Sequence, residues 1–83
     1  MNQIDIALRI AVAAHAGQLD RTGHPVILHP LTVGLMGNTD EEKTAGFLHD
    51  VVEDSDFTFD DLLREGISES IVNALRLLTH EKG

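Results

Sequence analysis

The chain has 83 residues, no cysteine, and a formal net charge of −8 from 6 Lys and Arg against 14 Asp and Glu. It is long enough for one small domain at most, which buries only about 60% of the surface of its unfolded chain, and disulfides and thiolate metal ligands are excluded. The acidic balance argues against a nucleic-acid partner, because there is no basic patch to replace phosphate counterions.

Membrane insertion is equally unexpected. The sequence has no long apolar run and no basic leader followed by an apolar segment, so we expect a cytoplasmic protein without a membrane partner. Any metal has to be held by imidazole and carboxylate groups. The negative charge also implies that an anionic small substrate would need a cation to mediate its binding.

The hydrophobic pattern predicts an all-α bundle of about five helices in a single domain over residues 1–83. Apolar residues at helical spacing indicate a first helix over residues 2–16, and Gly17 is a good residue to end it. An irregular connection of about a dozen residues, rich in glycine and proline, is expected to follow.

Proline and capping residues mark where the later helices begin. Pro30 can be the first residue of a short helix that ends at Met36, which places His29 at the N-cap. Thr39 with Glu42 three residues later forms a capping-box pattern. The remaining helices are predicted from Thr39 to Glu53, from Thr58 to Gly66 and from Ser68 to Thr79.

Polar residues cluster on one side of the predicted helix over 39–53. At ~100° per residue, His49, Gly46, Glu53 and Asp50 fall on one arc, and Gly46 would let another group approach the backbone. A solvated acidic helix face is the alternative interpretation. The opposite arc is apolar and contains Ala45, Phe47, Leu48, Val51 and Val52.

A metal site needs ligands from more than one element, because neighbouring residues of one helix diverge by about 100°. His29, fixed beside Pro30, is the best external candidate. With His49 and Asp50 it gives two imidazoles and one carboxylate, a set suited to Mn, Fe or Zn. Glu53 could then take a proton from an attacking water.

Three segments occur in this order along the chain, and the likeness that they carry extends over nearly all 83 residues: AHAGQLDRTGHPVILHPLTVG, GFLHDVVEDSDFTFDDL and ALRLLTHEKG. Together they resemble the hydrolase domain of the RelA/SpoT family, within the HD-domain metal-dependent phosphohydrolases, and in particular its small stand-alone bacterial members. The resemblance implies an HD-domain-like helical bundle. It also implies hydrolysis of the 3′-pyrophosphate of guanosine tetra- and pentaphosphate, the alarmones of the stringent response, with Mn²⁺ as the usual cofactor.

The resemblance also implies roles for individual residues. His29, His49 and Asp50 match three metal ligands. Glu53 and Asp54 match an acidic pair that positions or activates the attacking water. These five residues are therefore the candidate metal and catalytic groups.

The sequence departs from the family pattern at three places. Asp20 precedes Arg21 where the family has two basic residues, so one nucleotide contact is lost, and Arg21 matches a basic position that contacts the nucleotide in the family. Val26 replaces a tyrosine. The family's fourth metal ligand, an aspartate in a Leu-Ala-Asp segment, lies beyond Gly83, so the chain matches about the first half of the domain and we expect weak hydrolysis or none from it alone.

Two interpretations remain open at this point. The first is the metal-dependent phosphohydrolase, and the second is a noncatalytic HD helical module that binds a nucleotide or a partner chain.

The apolar stripe of the last helix is wider than about 100°, because Val72 and Leu77 flank it. We therefore expect a homo-oligomer, unless further chain covers this surface.

The histidines outside the ligand set are expected to play other parts. His15, on the apolar side of the first helix, is expected to be hydrogen-bonded, either within the core or to a side chain that itself binds the metal. Gln18 could cap the first helix or orient a ligand. His24 and His80 are expected to be solvated.

Overall fold

In the computed structural model, which describes residues 2–78, the chain forms six helical segments. Among these residues no strand occurs, and Leu19 and Pro25 form an isolated bridge. The predicted all-α fold is therefore confirmed. The segments are α1 (Gln3–His15), α2 (Leu28–Leu35), α3 (Asp40–Leu48), α4 (Val51–Asp54), α5 (Phe59–Arg64) and α6 (Glu69–Leu78).

Helix α3 lies at the centre of the fold and packs against α1, α2 and α6. Its apolar residues Phe47 and Leu48 are almost fully buried. No helix within residues 2–78 is long and apolar enough to cross a membrane. The core, contributed mainly by α1, α3 and α6, consists of Ile6, Ala7, Ile10, Ala11, Phe47, Leu48, Val51, Leu62, Ile67, Ile71, Val72 and Leu75.

Side-chain hydrogen bonds begin several helices where the sequence predicts them. Asn2 Oδ1 accepts from the backbone N–H of Asp5 at 2.9 Å. Thr58 and Asp61 form a reciprocal capping box, in which each side chain accepts from the other residue's backbone N–H. Gly17, at φ +78°, follows the end of α1. These boundaries depend on neighbouring residues alone.

The second helix begins two residues earlier than predicted. Leu28 and His29 already belong to α2, so Pro30 is its third residue and His29 lies in its first turn. Proline is accepted there because the first four N–H groups of a helix have no partner within it. His29 is therefore held by helical backbone.

The predicted helix over 39–53 is broken, which corrects the expectation of one continuous element. Thr39 caps α3 by accepting from the Glu42 N–H at 3.1 Å, but α3 ends at Leu48. The His49 N–H donates to the carbonyl three residues back at 3.4 Å, a tightened final turn. Asp50 then lies at φ −96° and ψ −4°, before α4 begins.

The predicted apolar stripe of α6 is covered only in part. Ile71, Val72 and Leu75 are buried against the rest of the domain, whereas Leu77 is 84% exposed. Self-association through this surface stays a prediction. Thr79, the predicted end of this helix, and His80 lie outside the described residues.

Candidate metal and substrate site

The candidate site begins at a close crossing of α2 and α3. A methyl group built on Gly46 would lie 2.6 Å from the Cα of Gly34 and 2.9 Å from its backbone nitrogen, and one on Gly34 would collide with the ring of Phe47. The two backbones thus touch because both positions are glycine. Gly46 faces α2, so the group that its missing side chain allows to approach is the backbone of α2.

This crossing brings the three proposed metal ligands together. His29 Nε2, on α2, lies 3.6 Å from Asp50 Oδ2, and His49 Nδ1 lies 3.0 Å from Asp50 Oδ1. Each oxygen of one carboxylate therefore faces a different imidazole. The side chain of Asp50 is 18% exposed, whereas those of His29 and His49 are 69% and 45% exposed. The cluster lies at the surface, open to a small molecule.

The chemistry of this donor set fits a divalent transition metal. Imidazole and carboxylate together suit Mn²⁺, Fe²⁺ and Zn²⁺, and the three groups come from two elements. The side chains nevertheless contact one another, and within residues 2–78 no group of three His, Asp or Glu side chains is arranged to hold a metal ion. Binding would require the two imidazoles to turn from the carboxylate toward a shared cation.

The proposed acidic pair lies on the single turn of α4. Glu53 and Asp54 are both exposed, while Val51 of the same turn is fully buried. The Asp54 N–H donates to the Asp50 carbonyl at 2.8 Å. The backbone therefore ties the acidic pair to the ligand cluster, although neither carboxylate bonds directly to His29 or His49.

Arg21 lies in an exposed loop between α1 and α2 that is organised by its neighbour. Asp20 Oδ1 accepts from the Thr22 N–H at 2.8 Å, the Thr22 hydroxyl at 2.7 Å and the His24 N–H at 3.0 Å. The Thr22 hydroxyl bond and the His24 backbone bond lower the pKa of Asp20. Asp20 is thus a loop-ordering residue, and Arg21 forms no ion pair with another described residue.

Sequence reasoning missed two features that build the site. Gly34 was not singled out, and its spacing from Gly46 carries no local signal of a helix crossing. Gln18 caps α1 by donating to the Ala14 carbonyl, one of its two expected roles, but it also donates to the Asp54 carbonyl, each at 3.2 Å, and this link from α1 to α4 was not foreseen. His15 is buried, as expected, and contacts Gln18. Only the tertiary structure reveals the hydrogen bond between Gln18 and Asp54.

Comparison with known proteins finds relatives of one type. The chain is 33% identical over 81 residues to a guanosine-3′,5′-bis(diphosphate) 3′-pyrophosphohydrolase of Aquifex aeolicus, covering 93% of this chain and 12% of that protein. This chain is homologous to part of the RelA/SpoT-type proteins. No protein-family model matches it.

Other RelA/SpoT-type relatives carry both hydrolase and synthetase names. The identity is 40% over 63 residues to a Borreliella burgdorferi protein of the same name as the Aquifex relative, covering 71% of this chain and 9% of that protein. It is 38% over 69 residues to a GTP pyrophosphokinase of Streptomyces coelicolor, covering 78% of this chain and 8% of that protein. The chain thus spans about a tenth of the length of these relatives.

Proposed function

We propose that this chain provides the histidine–aspartate part of a divalent-metal site in an HD-type phosphohydrolase, with Mn²⁺ as the cation. The observation that carries the proposal is that His29 and His49, from either side of the α2–α3 crossing, both face the carboxylate of Asp50. A solvated acidic face gives no reason for two imidazoles to meet on one carboxylate. The donor types are those that such metals take.

The residues around the cluster fit the hydrolysis of a phosphate anhydride. When bound, a divalent cation polarises phosphoryl oxygens and helps to generate a nucleophile at neutral pH. Glu53 and Asp54 are exposed carboxylates on the turn beside Asp50, where one of them can accept the proton of the attacking water. Arg21, unpaired among the described residues, can bind a phosphate through its guanidinium.

The proposed substrate is guanosine tetra- or pentaphosphate, from which water releases the 3′-pyrophosphate. Support comes from the relatives of Aquifex aeolicus and Borreliella burgdorferi, whose names state this reaction. The chain has a net charge of −8, so a polyanionic nucleotide needs cations on the protein side. The proposed metal would supply positive charge at the ligand cluster, and Arg21 offers a second cationic group from the exposed loop between α1 and α2.

The alternative is a noncatalytic helical module that binds a nucleotide or a partner chain. One observation favours it: among residues 2–78 no group of three ligand side chains is already arranged around a metal. The two functions differ in what His49 does. In the hydrolase it holds a cation that serves pyrophosphate release, whereas in the module, which keeps only part of the metal site, its loss changes no turnover.

Metal analysis of the purified protein, combined with a pyrophosphate-release assay on guanosine tetraphosphate, tests the proposal. We expect one Mn²⁺ per chain after loading, and loss of tight Mn²⁺ binding in His49→Ala. Because these 83 residues contain no Leu-Ala-Asp segment, we expect slow pyrophosphate release from them alone. Metal content that His49→Ala does not change would refute the proposed site.

His24→Ala is the matched control for His49→Ala. His24 is also exposed, but its ring contacts Thr22 in the loop instead of Asp50. It should therefore keep the metal content of the unmodified chain. Equal metal loss in both variants would show that Mn²⁺ binds to surface histidines in general.

A further inference from the structure

The single turn of α4 needs support from outside itself. Four residues give too few backbone hydrogen bonds to hold a helix in water, and α4 spans only Val51–Asp54. Burial of Val51 anchors one side of the turn. A side-chain hydrogen bond also reaches the turn from a distant part of the sequence. It comes from Gln18, just past the end of α1.

The amide of Gln18 has its orientation fixed by two carbonyl groups. Its Nε2 donates to the Ala14 carbonyl and to the Asp54 carbonyl, each at 3.2 Å. The reversed amide would aim its oxygen at two acceptors, which repel it. Gln18 Oε1 must therefore face His15, whose Nδ1 lies 3.3 Å away.

This orientation decides where His15 carries its proton. Because Gln18 Oε1 can only accept, His15 Nδ1 must donate, so a neutral ring has its lone pair at Nε2. His15 is 2% exposed, and its Nε2 is buried without a hydrogen-bond partner within the described residues. Leaving a buried polar atom unpaired is unfavourable, so a ring kept only for packing would be better replaced by an apolar side chain.

We propose that His15 and Gln18 are positioning residues: the Nδ1-protonated ring of His15 orients the Gln18 amide, which holds the Asp54 carbonyl and so fixes the turn carrying Glu53 and Asp54 beside Asp50. The inference rests on the proposed hydrolase for its effect on catalysis, because the acidic pair acts only there. The hydrogen-bond relay itself is independent of any substrate. Neither His15 nor Gln18 is assigned contact with the metal or the nucleotide.

Nitrogen NMR of the labelled chain tests the relay directly. Two-bond proton–nitrogen correlations should show His15 with a protonated Nδ1 and an unprotonated Nε2. Gln18→Glu keeps an acceptor for His15 but removes the donor to Asp54, so the amide signals of Val51–Asp54 should shift while His15 keeps its tautomer. A ring protonated at Nε2 in the unmodified chain would overturn the inference, as would unmoved α4 signals in Gln18→Glu.

Conservative replacement separates positioning from packing. In His15→Asn the amide nitrogen occupies the place of Nδ1, so the donor to Gln18 is kept and the α4 signals should stay in place. His15→Leu has comparable apolar bulk but no donor, and the α4 signals should shift as they do in Gln18→Glu. Equal spectra for the two His15 variants would show that the ring acts only by packing.

Kinetics connect the relay to the proposed reaction. In the Mn²⁺-loaded chain, Gln18→Glu should lower kcat for pyrophosphate release by roughly 10- to 100-fold, the scale of a small misplacement of reacting groups, while KM changes by less than about twofold. An unchanged kcat contradicts the inference. The proposed function stands or falls on the metal content of His49→Ala, so if the unmodified chain releases no pyrophosphate, the NMR measurements decide by themselves whether the relay exists.

Discussion

The α2–α3 crossing and the loop over residues 20–24 place their functional residues by different physical means. At the crossing, Gly34 and Gly46 let two backbones touch, and the ligand cluster lies beyond this contact. In the loop, one carboxylate, that of Asp20, accepts three hydrogen bonds from the residues around Arg21. The first arrangement depends on tertiary packing and the second on local bonds between near neighbours in sequence.

The difference predicts how each region responds to change. Disturbing the crossing should affect global stability and metal binding together, because α3 is also the centre of the core. Disturbing the loop should affect only the order of the loop and the placement of Arg21, because all partners of Asp20 are exposed and lie within four residues. Substitutions in the two regions can therefore separate the placement of the metal ligands from that of the phosphate-binding residue.

The largest effect is expected from Gly46→Ala. Its methyl group would meet the backbone of α2 at 2.6 Å, and overpacking of this kind costs about 1–3 kcal/mol. A gain of about 1 kcal/mol from helix propensity offsets part of this. Because backbone atoms move less easily than side chains, we expect a net loss of about 2 kcal/mol in denaturant unfolding, together with weaker Mn²⁺ binding.

Gly23→Ala is the matched control in the loop. No atom lies within 4 Å of the added methyl group, but the residue has φ +87°, so the cost of about 1 kcal/mol is conformational. It should leave Mn²⁺ binding unchanged. If Gly23→Ala weakened Mn²⁺ binding as much as Gly46→Ala, the two regions would not be independent.

The two glycines of the crossing, Gly34 and Gly46, mark the limit of what could be predicted from the sequence. The cap that Thr39 forms on α3 was predicted because Glu42 lies three residues later. His29 lies 3.6 Å from Asp50, while its role as a metal ligand stays a prediction. The contact of Gly34 with Gly46 joins residues of two helices, and nothing local signals it. The break after Leu48 was also missed, because the apolar residues keep their helical spacing through Glu53.

A smaller effect is expected from Asp20→Ala. The substitution removes the acceptor of three hydrogen bonds, so the amides of Thr22 and His24 should exchange faster with solvent. The midpoint of global unfolding should move less than in Gly46→Ala, because no core contact is lost. Amide hydrogen exchange and denaturant unfolding on the same sample measure both quantities. A shift in unfolding as large as that of Gly46→Ala would mean that the loop supports the core.

The smallest effect is a response of the loop to acid. Hydrogen bonds, first that from the Thr22 hydroxyl, lower the pKa of Asp20 in the folded chain. A group with a lowered folded pKa contributes stability above its unfolded pKa and loses it as the pH falls through the folded value. The loop should therefore loosen only below about pH 4. The amide NMR signals of Thr22 and His24 should move as the pH falls through that range.

Asp20→Asn shows whether this acid response belongs to Asp20. Asparagine keeps an oxygen that can accept from the backbone N–H groups of Thr22 and His24 but does not titrate in this range. The amide signals of both residues should then stay unchanged through the acid range in which they move in the unmodified chain. If they moved with the same midpoint in both proteins, another carboxylate would control the loop, and its order would not depend on local bonds to Asp20.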